Sequence, residues 1–254
     1  MRIRDCELHV RISGEGTPLL WTHGLLSGSA PDDAFGTLWE PLPPGLQLVR
    51  YDARGHGRSA ASSAAADYTW SNLGRDMLAL ADALGAERLI AGGWSLGCVS
   101  AIHAALLAPQ RFKGLILMLP PAVWEARTAQ RRLYRLAARL AQAPAGPVLP
   151  DWLAAAEPEH ALRAAERARA MPAATVTQLF EAAALSDLPP RAELARLAEV
   201  PVLLVACGGD PTHPLTAAQA LHQLLPRSTL CVAHDYQQWL ELRARMHAFA
   251  LACR

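Results

Sequence analysis

Ser95 sits at the centre of Gly93-Trp94-Ser95-Leu96-Gly97, and a serine in that setting can do nucleophilic chemistry. An apolar run, 88–92, precedes it, and 98–107 follows with the composition of a helix. The order is strand, sharp turn, helix, with the serine at the apex, which is the nucleophile-elbow pattern. A side chain at such a strained turn crowds its neighbours, so the positions two before and two after it must lack side chains. The following helix aims its first N–H groups and the positive end of its dipole at the same spot. A hydroxyl is a weak nucleophile at neutral pH, so Ser95 needs an adjacent base to act.

The elements that must hold this turn follow from hydrophobic patterning. Residues 2–12 alternate apolar and polar, a Ser13-Gly14-Glu15-Gly16 turn follows, and 18–22 is a short apolar strand, which together predict an N-terminal antiparallel hairpin. A short helix is expected near 35–40 and a strand over 46–51. Residues 70–84 have helical periodicity and stop at Gly85. Further strands are expected at 114–119, 201–206 and 229–233, with helices near 215–225 and at the C-terminus. Alternating strands and helices imply a mostly parallel central sheet with helices on both faces. From 122 to 198 no strand is evident, and this Ala/Arg/Leu/Glu-rich stretch reads as a helical insertion above the C-terminal ends of the strands. The expected division is therefore a core of 1–121 and 199–254 and a cap of 122–198.

Composition excludes several classes. The 254 residues are 52% hydrophobic and 19% charged, enough to bury a sizeable core. A net charge of +1 offers no attraction to nucleic acid or to an acidic membrane. Five cysteines at 6, 98, 207, 231 and 253 show no metal-ligand spacing and no disulfide framework, and Cys98, Cys207 and Cys231 fall in or beside apolar runs as small buried hydrophobes. No metal or cofactor is expected. The first residues carry no apolar signal-peptide core, and no apolar stretch reaches the length of a membrane span, so the expectation is a cytoplasmic protein, monomeric or homodimeric.

Four pieces in order give the chain a resemblance to the α/β-hydrolase fold, in its compact cap-bearing, serine esterase or lactonase form. They are His23-Gly24 after an early strand, Asp52-Ala53-Arg54-Gly55-His56-Gly57-Arg58-Ser59 after the next, the Ser95 elbow, and Asp210 then His234 after the last two strands. The resemblance covers almost the whole length. It implies Ser95 as nucleophile, Asp210 as the acid that orients the base, and His234 as that base. The usual Gly-His context is missing, since Ala233 leads straight into His234-Asp235-Tyr236. Asp235 has an alternative role as the cap of the last helix. His213 is a rival base, but three residues from Asp210 it is expected to be too close to face the acid across a site.

By the same resemblance the oxyanion donors are the backbone N–H groups of Leu25 and Leu96. One such donor is worth about 3–4 kcal/mol to a tetrahedral intermediate. His23 and the Asp52-to-Ser59 motif are expected to hold loops. Trp94, Trp124 and Arg127 are the candidate substrate-binding side chains. Arg131, Arg135 and Arg139 share one helix face, expected to be solvated, and Leu133, Trp152, Leu179 and Phe180 are expected in the core of the cap. The implied activity is cleavage of a small or medium ester or lactone through an acyl-enzyme. The alternatives are a carbon–carbon bond hydrolase or perhydrolase on the same triad, or a non-catalytic ligand-binding member of the fold.

Overall fold

A computed structural model describes residues 1–30, 38–142, 166–210 and 212–254. Its centre is a seven-stranded sheet. The strands are β3 (Val10–Gly14), β4 (Gly16–Thr22), β5 (Gly45–Tyr51), β6 (Leu89–Trp94), β7 (Phe112–Met118), β8 (Val202–Cys207) and β9 (Ser228–Ala233), arranged in the order β3-β5-β4-β6-β7-β8-β9. A separate two-stranded ribbon joins β1 (Arg2–Ile3) to β2 (Cys6–Glu7). All neighbours in the large sheet are parallel except β3 and β5.

Alternation along the strands divides the core into two layers, because successive side chains point to opposite faces. Leu20, Ala91, Leu115, Leu117 and Leu204 face one way. They meet the apolar sides of α1 (Trp70–Ala83), α2 (Leu96–Leu107) and α5 (Leu215–Leu224). Leu19, Trp21, Ile90, Ile116, Met118, Leu203 and Val205 face the other way, against Leu242, Met246 and Ala250 of α6 (Tyr236–Ala252). The central strands are buried on both faces, which is why they read as unbroken apolar runs.

The expected N-terminal hairpin does not form. β3 and β4 flank β5 instead of pairing with each other, β3 antiparallel and β4 parallel to it. The chain crosses the start of β5 on two glycines with positive φ. A Cβ on Gly14 would lie 2.5 Å from the Leu46 carbonyl oxygen, and one on Gly16 would lie 2.2 Å from that of Gly45. Only backbone without side chains passes that closely.

Between β7 and β8 the described residues contain no strand. They hold α3 (Arg127–Ala141) and α4 (Ala173–Leu185), which pack through Tyr134, Ala137, Ala138 and Ala141 on one side and Val176, Leu179, Phe180 and Ala183 on the other. Leu133 is half-buried on α3, while Trp152 lies outside the described residues, as do 31–37; of the expected 35–40 helix only 38–40 are described, and they form a turn. Arg131 pairs with Asp187 at 2.8 Å, and Arg135 and Arg139 are exposed at the rim of a cleft of about 340 Å³ beside Glu181. Arg135 and Arg139 match the solvated face expected for that arginine row, whereas Arg131 is partly buried in its ion pair.

Gly97 packs on β4 so closely that an added Cβ would lie 2.4 Å from the Thr22 carbonyl oxygen. Gly97→Ala is expected to lower stability by about 1–3 kcal/mol, the usual cost of overpacking. Urea denaturation checks this, and an unchanged midpoint would contradict the packing described.

Candidate active site

β6 delivers Ser95 to the C-terminal edge of the sheet, where open parallel sheets place their sites. Ser95 has φ 52° and ψ −110°, a left-handed conformation that costs a non-glycine residue energy. Its N–H donates to the Met118 carbonyl at 3.0 Å, tying the apex to β7. A Cβ on Gly93 would lie 2.3 Å from the same Thr22 oxygen that Gly97 meets. Both elbow glycines are therefore required by close approach to β4, in line with their spacing around Ser95.

The side chain that reaches Ser95 is His213. Its Nε2 lies 2.9 Å from Ser95 Oγ, and its Nδ1 lies 2.7 Å from Asp210 Oδ2. An ionised carboxylate only accepts, so Nδ1 carries the proton and Nε2 presents its lone pair to the serine O–H. The i,i+3 spacing works because Asp210 folds the chain around itself. Its Oδ1 accepts the N–H of Thr212 at 2.7 Å and of His213 at 3.0 Å. That tight turn brings the His213 ring back over Oδ2, and α5 begins immediately after Pro214. His213 is buried and Asp210 partly so. Burial pushes the Asp210 carboxyl up, but the His213 ring bond, its charge and the two N–H bonds outweigh this and hold the carboxyl below its usual range.

His234, the expected base, is not brought to the serine. It lies exposed past β9, and a Cβ on Gly208 would come within 2.5 Å of its Nδ1. Among the described residues its ring bonds neither Ser95 nor Asp210. Its backbone N–H donates to Gln238 Oε1 at 2.9 Å, and Asp235 caps α6 by accepting the Gln238 N–H at 2.8 Å. With Ala233 running straight into that cap, no glycine-rich turn is left to swing His234 over the sheet. The missed signal was the Asp-x-x-His spacing itself, which a carboxylate-centred turn makes productive.

Leu96 follows the serine as the first residue of α2, and Leu25 lies on the loop after β4. Among the described residues neither N–H has a protein acceptor. The Leu25 loop is fixed by His23, whose Nδ1–H donates to the Gly24 carbonyl at 2.7 Å while Nε2 accepts the Ala53 N–H at 3.0 Å. Asp52 holds the next bend by accepting the N–H of Ser29 at 2.5 Å and of Arg58 at 2.9 Å. Arg54 is fully buried and forks onto Asp76 at 2.8 and 2.9 Å. Burial pushes the His56 imidazole down to about 3, so it stays neutral beside His23. These motif residues hold loops, as expected.

The three candidate substrate-binding side chains separate. Trp94 lies half-buried with its ring over Gly24, where an added Cβ would come within 2.4 Å of the indole, so it walls the Leu25 loop. Trp124 is a fastener: its indole N–H donates to the Pro189 carbonyl at 2.9 Å and Arg191 stacks on its ring at 4.4 Å. Arg127 is completely buried, stacked on Trp70 at 4.0 Å, and its guanidinium bonds carbonyls of Ala122, Ala183 and Ser186. It lines no pocket. Its long apolar stem and flat cation serve burial at a helix start, which its position alone could not reveal.

Among the described residues no group of three or more His, Cys, Asp or Glu side chains could hold a metal ion, and no helix is long and apolar enough to cross a membrane. A family model described as alpha/beta hydrolase fold matches residues 17–241. The "Putative carbamate hydrolase RutD" of Azorhizobium caulinodans is 30% identical over 118 residues, which are 45% of this chain and 41% of that protein, less than half its length. The 3-oxoadipate enol-lactonase 2 of Acinetobacter baylyi is 29% identical over 189 residues, 72% of this chain and 68% of that protein. Among solved structures, a hydrolase from Pseudomonas aeruginosa PA01 superposes with a TM-score of 0.72 at 26% identity, covering 95% of this chain and 94% of the other.

Because the folded Asp210 carboxyl titrates below its unfolded counterpart, its contribution to stability is fully present above about pH 4 and is lost as pH falls through the lower folded value. Asp210→Asn should therefore lower the urea midpoint at neutral pH, and its gap from wild type should close as the pH is taken down to about 2. An equal gap at both ends would contradict this.

Proposed function

The chain belongs to the α/β-hydrolase family, and from that premise we propose that it is a serine hydrolase cleaving a small or medium ester or lactone through an acyl-enzyme. One observation carries this: the unbroken chain Asp210–His213–Ser95, with bonds of 2.7 and 2.9 Å. Ser95 Oγ attacks the carbonyl carbon as its proton passes to His213 Nε2, and Asp210 stabilises the imidazolium through Nδ1–H. The carbonyl oxygen takes up the negative charge and is met by the Leu25 and Leu96 N–H groups. When the intermediate collapses, the ester C–O bond breaks and the leaving oxygen takes the proton from Nε2. Water then gives a proton to Nε2 and its hydroxyl oxygen to the acyl carbon, and the acyl–Oγ bond breaks as Ser95 Oγ takes that proton back from Nε2, releasing the acid and restoring the serine. In this reading α3 and α4 serve as a cap over the site, and Trp94 as a wall beside the oxyanion loop.

The relatives' names support a carbonyl substrate with a heteroatom leaving group, since a carbamate and an enol-lactone share that feature. The test is hydrolysis of a panel of aryl and alkyl esters and lactones, with mass spectrometry after treatment by a fluorophosphonate. Wild type should turn over an ester and gain one phosphonyl group on Ser95. Ser95→Ala should take up none and lose about 10⁶-fold in kcat, the scale for removing such a nucleophile. Folded wild type with neither turnover nor adduct would overturn this in favour of a ligand-binding member of the fold.

A further inference from the structure

The Thr212–His213 peptide is held at both of its polar ends. Its N–H donates to Asp210 Oδ1 at 3.0 Å. Its C=O accepts from Gln130 Nε2 at 3.0 Å, and Gln130 belongs to α3, 82 residues away. Gln130 is itself buried, at 6% exposure, so its amide cannot exchange partners freely with water. Its other end, Oε1, accepts from Arg127 Nη1 at 2.5 Å. A guanidinium only donates and a carbonyl only accepts, so the amide has one orientation that satisfies both neighbours. Arg127 is in turn immobilised by the carbonyls of Ala183 and Ser186 and by the face of Trp70.

Resting on the proposed role of His213 as base, we infer that Gln130 is a positioning residue for it: α3 reaches down through Gln130 and fixes the peptide that carries the imidazole to Ser95. A base on a short loop after β8 has no long connection of its own to brace it. Asp210 restrains the near side of the peptide and Gln130 the far side. Arg127, expected at a substrate pocket, acts here by aiming the Gln130 amide.

Two variants separate positioning from packing. Gln130→Met keeps the length and apolar bulk but makes neither bond. Gln130→Glu still accepts from Arg127 but cannot donate to the Thr212 carbonyl. The readouts are the rate of Ser95 modification by a fluorophosphonate, kcat and KM on an ester that wild type turns over, and the urea midpoint. Both variants should label Ser95 and turn over about 10- to 100-fold more slowly, the scale for sub-ångström to 1 Å misplacement of a catalytic group. KM should change less than about threefold, and Gln130→Glu should keep a near-wild-type urea midpoint. Wild type that labels, with either folded variant labelling equally fast, would overturn this inference alone. Wild type that never labels would overturn the serine-hydrolase reading and this inference with it.

Discussion

One carboxylate organises the site. Asp210 spends one oxygen on the backbone of Thr212 and His213 and the other on the His213 ring. The backbone bonds make the turn, the turn returns the ring, and the ring reaches Ser95. The proposed acid and base therefore form a single four-residue unit instead of arriving from two loops. Removing the carboxylate would undo the geometry as well as the charge, because the same group supplies both.

The opposite half of the site depends on close backbone contact. Ser95 can hold its left-handed φ only because Gly93 and Gly97 let β6 and α2 press against the Thr22 carbonyl. The Met118 carbonyl, in the neighbouring strand, then receives the Ser95 N–H. The Leu25 loop is set by a neutral imidazole, His23, bridging two backbone segments, with Trp94 stacked over Gly24. The proposed nucleophile and oxyanion donors are thus fixed by the sheet, while the proposed acid and base ride on a loop that Gln130 of α3 bonds through the Thr212 carbonyl.

Most of the architecture was legible in the sequence because parallel strands buried on both faces leave continuous apolar runs, and because the elbow needs glycines at fixed positions around Ser95. The place of Asp210 at the edge of the candidate site was legible for a similar reason, since it follows an apolar strand and two glycines. The failures have physical causes. The hairpin expectation assumed that adjacent strands pair, whereas Gly14 and Gly16 carry the chain under the start of β5. His213 was set aside on sequence proximity, although an aspartate-centred turn makes three residues the right separation. His234 was favoured by its place just past the last strand, while Asp235 commits that segment to capping α6. Arg127 looked like a pocket residue because it lies just past Pro120-Pro121 at the start of the cap, yet its donors are absorbed by carbonyls and its face by Trp70.

The central claim is that Ser95 is activated by a histidine on the acid loop. Its most direct test compares the rates at which a fluorophosphonate modifies Ser95 in His213→Ala and His234→Ala. The account predicts a rate close to wild type for His234→Ala and a fall of about 10³-fold or more for His213→Ala, the scale for losing a triad member. The reverse result, fast labelling without His213 and loss without His234, would contradict it and return the base to the segment after β9.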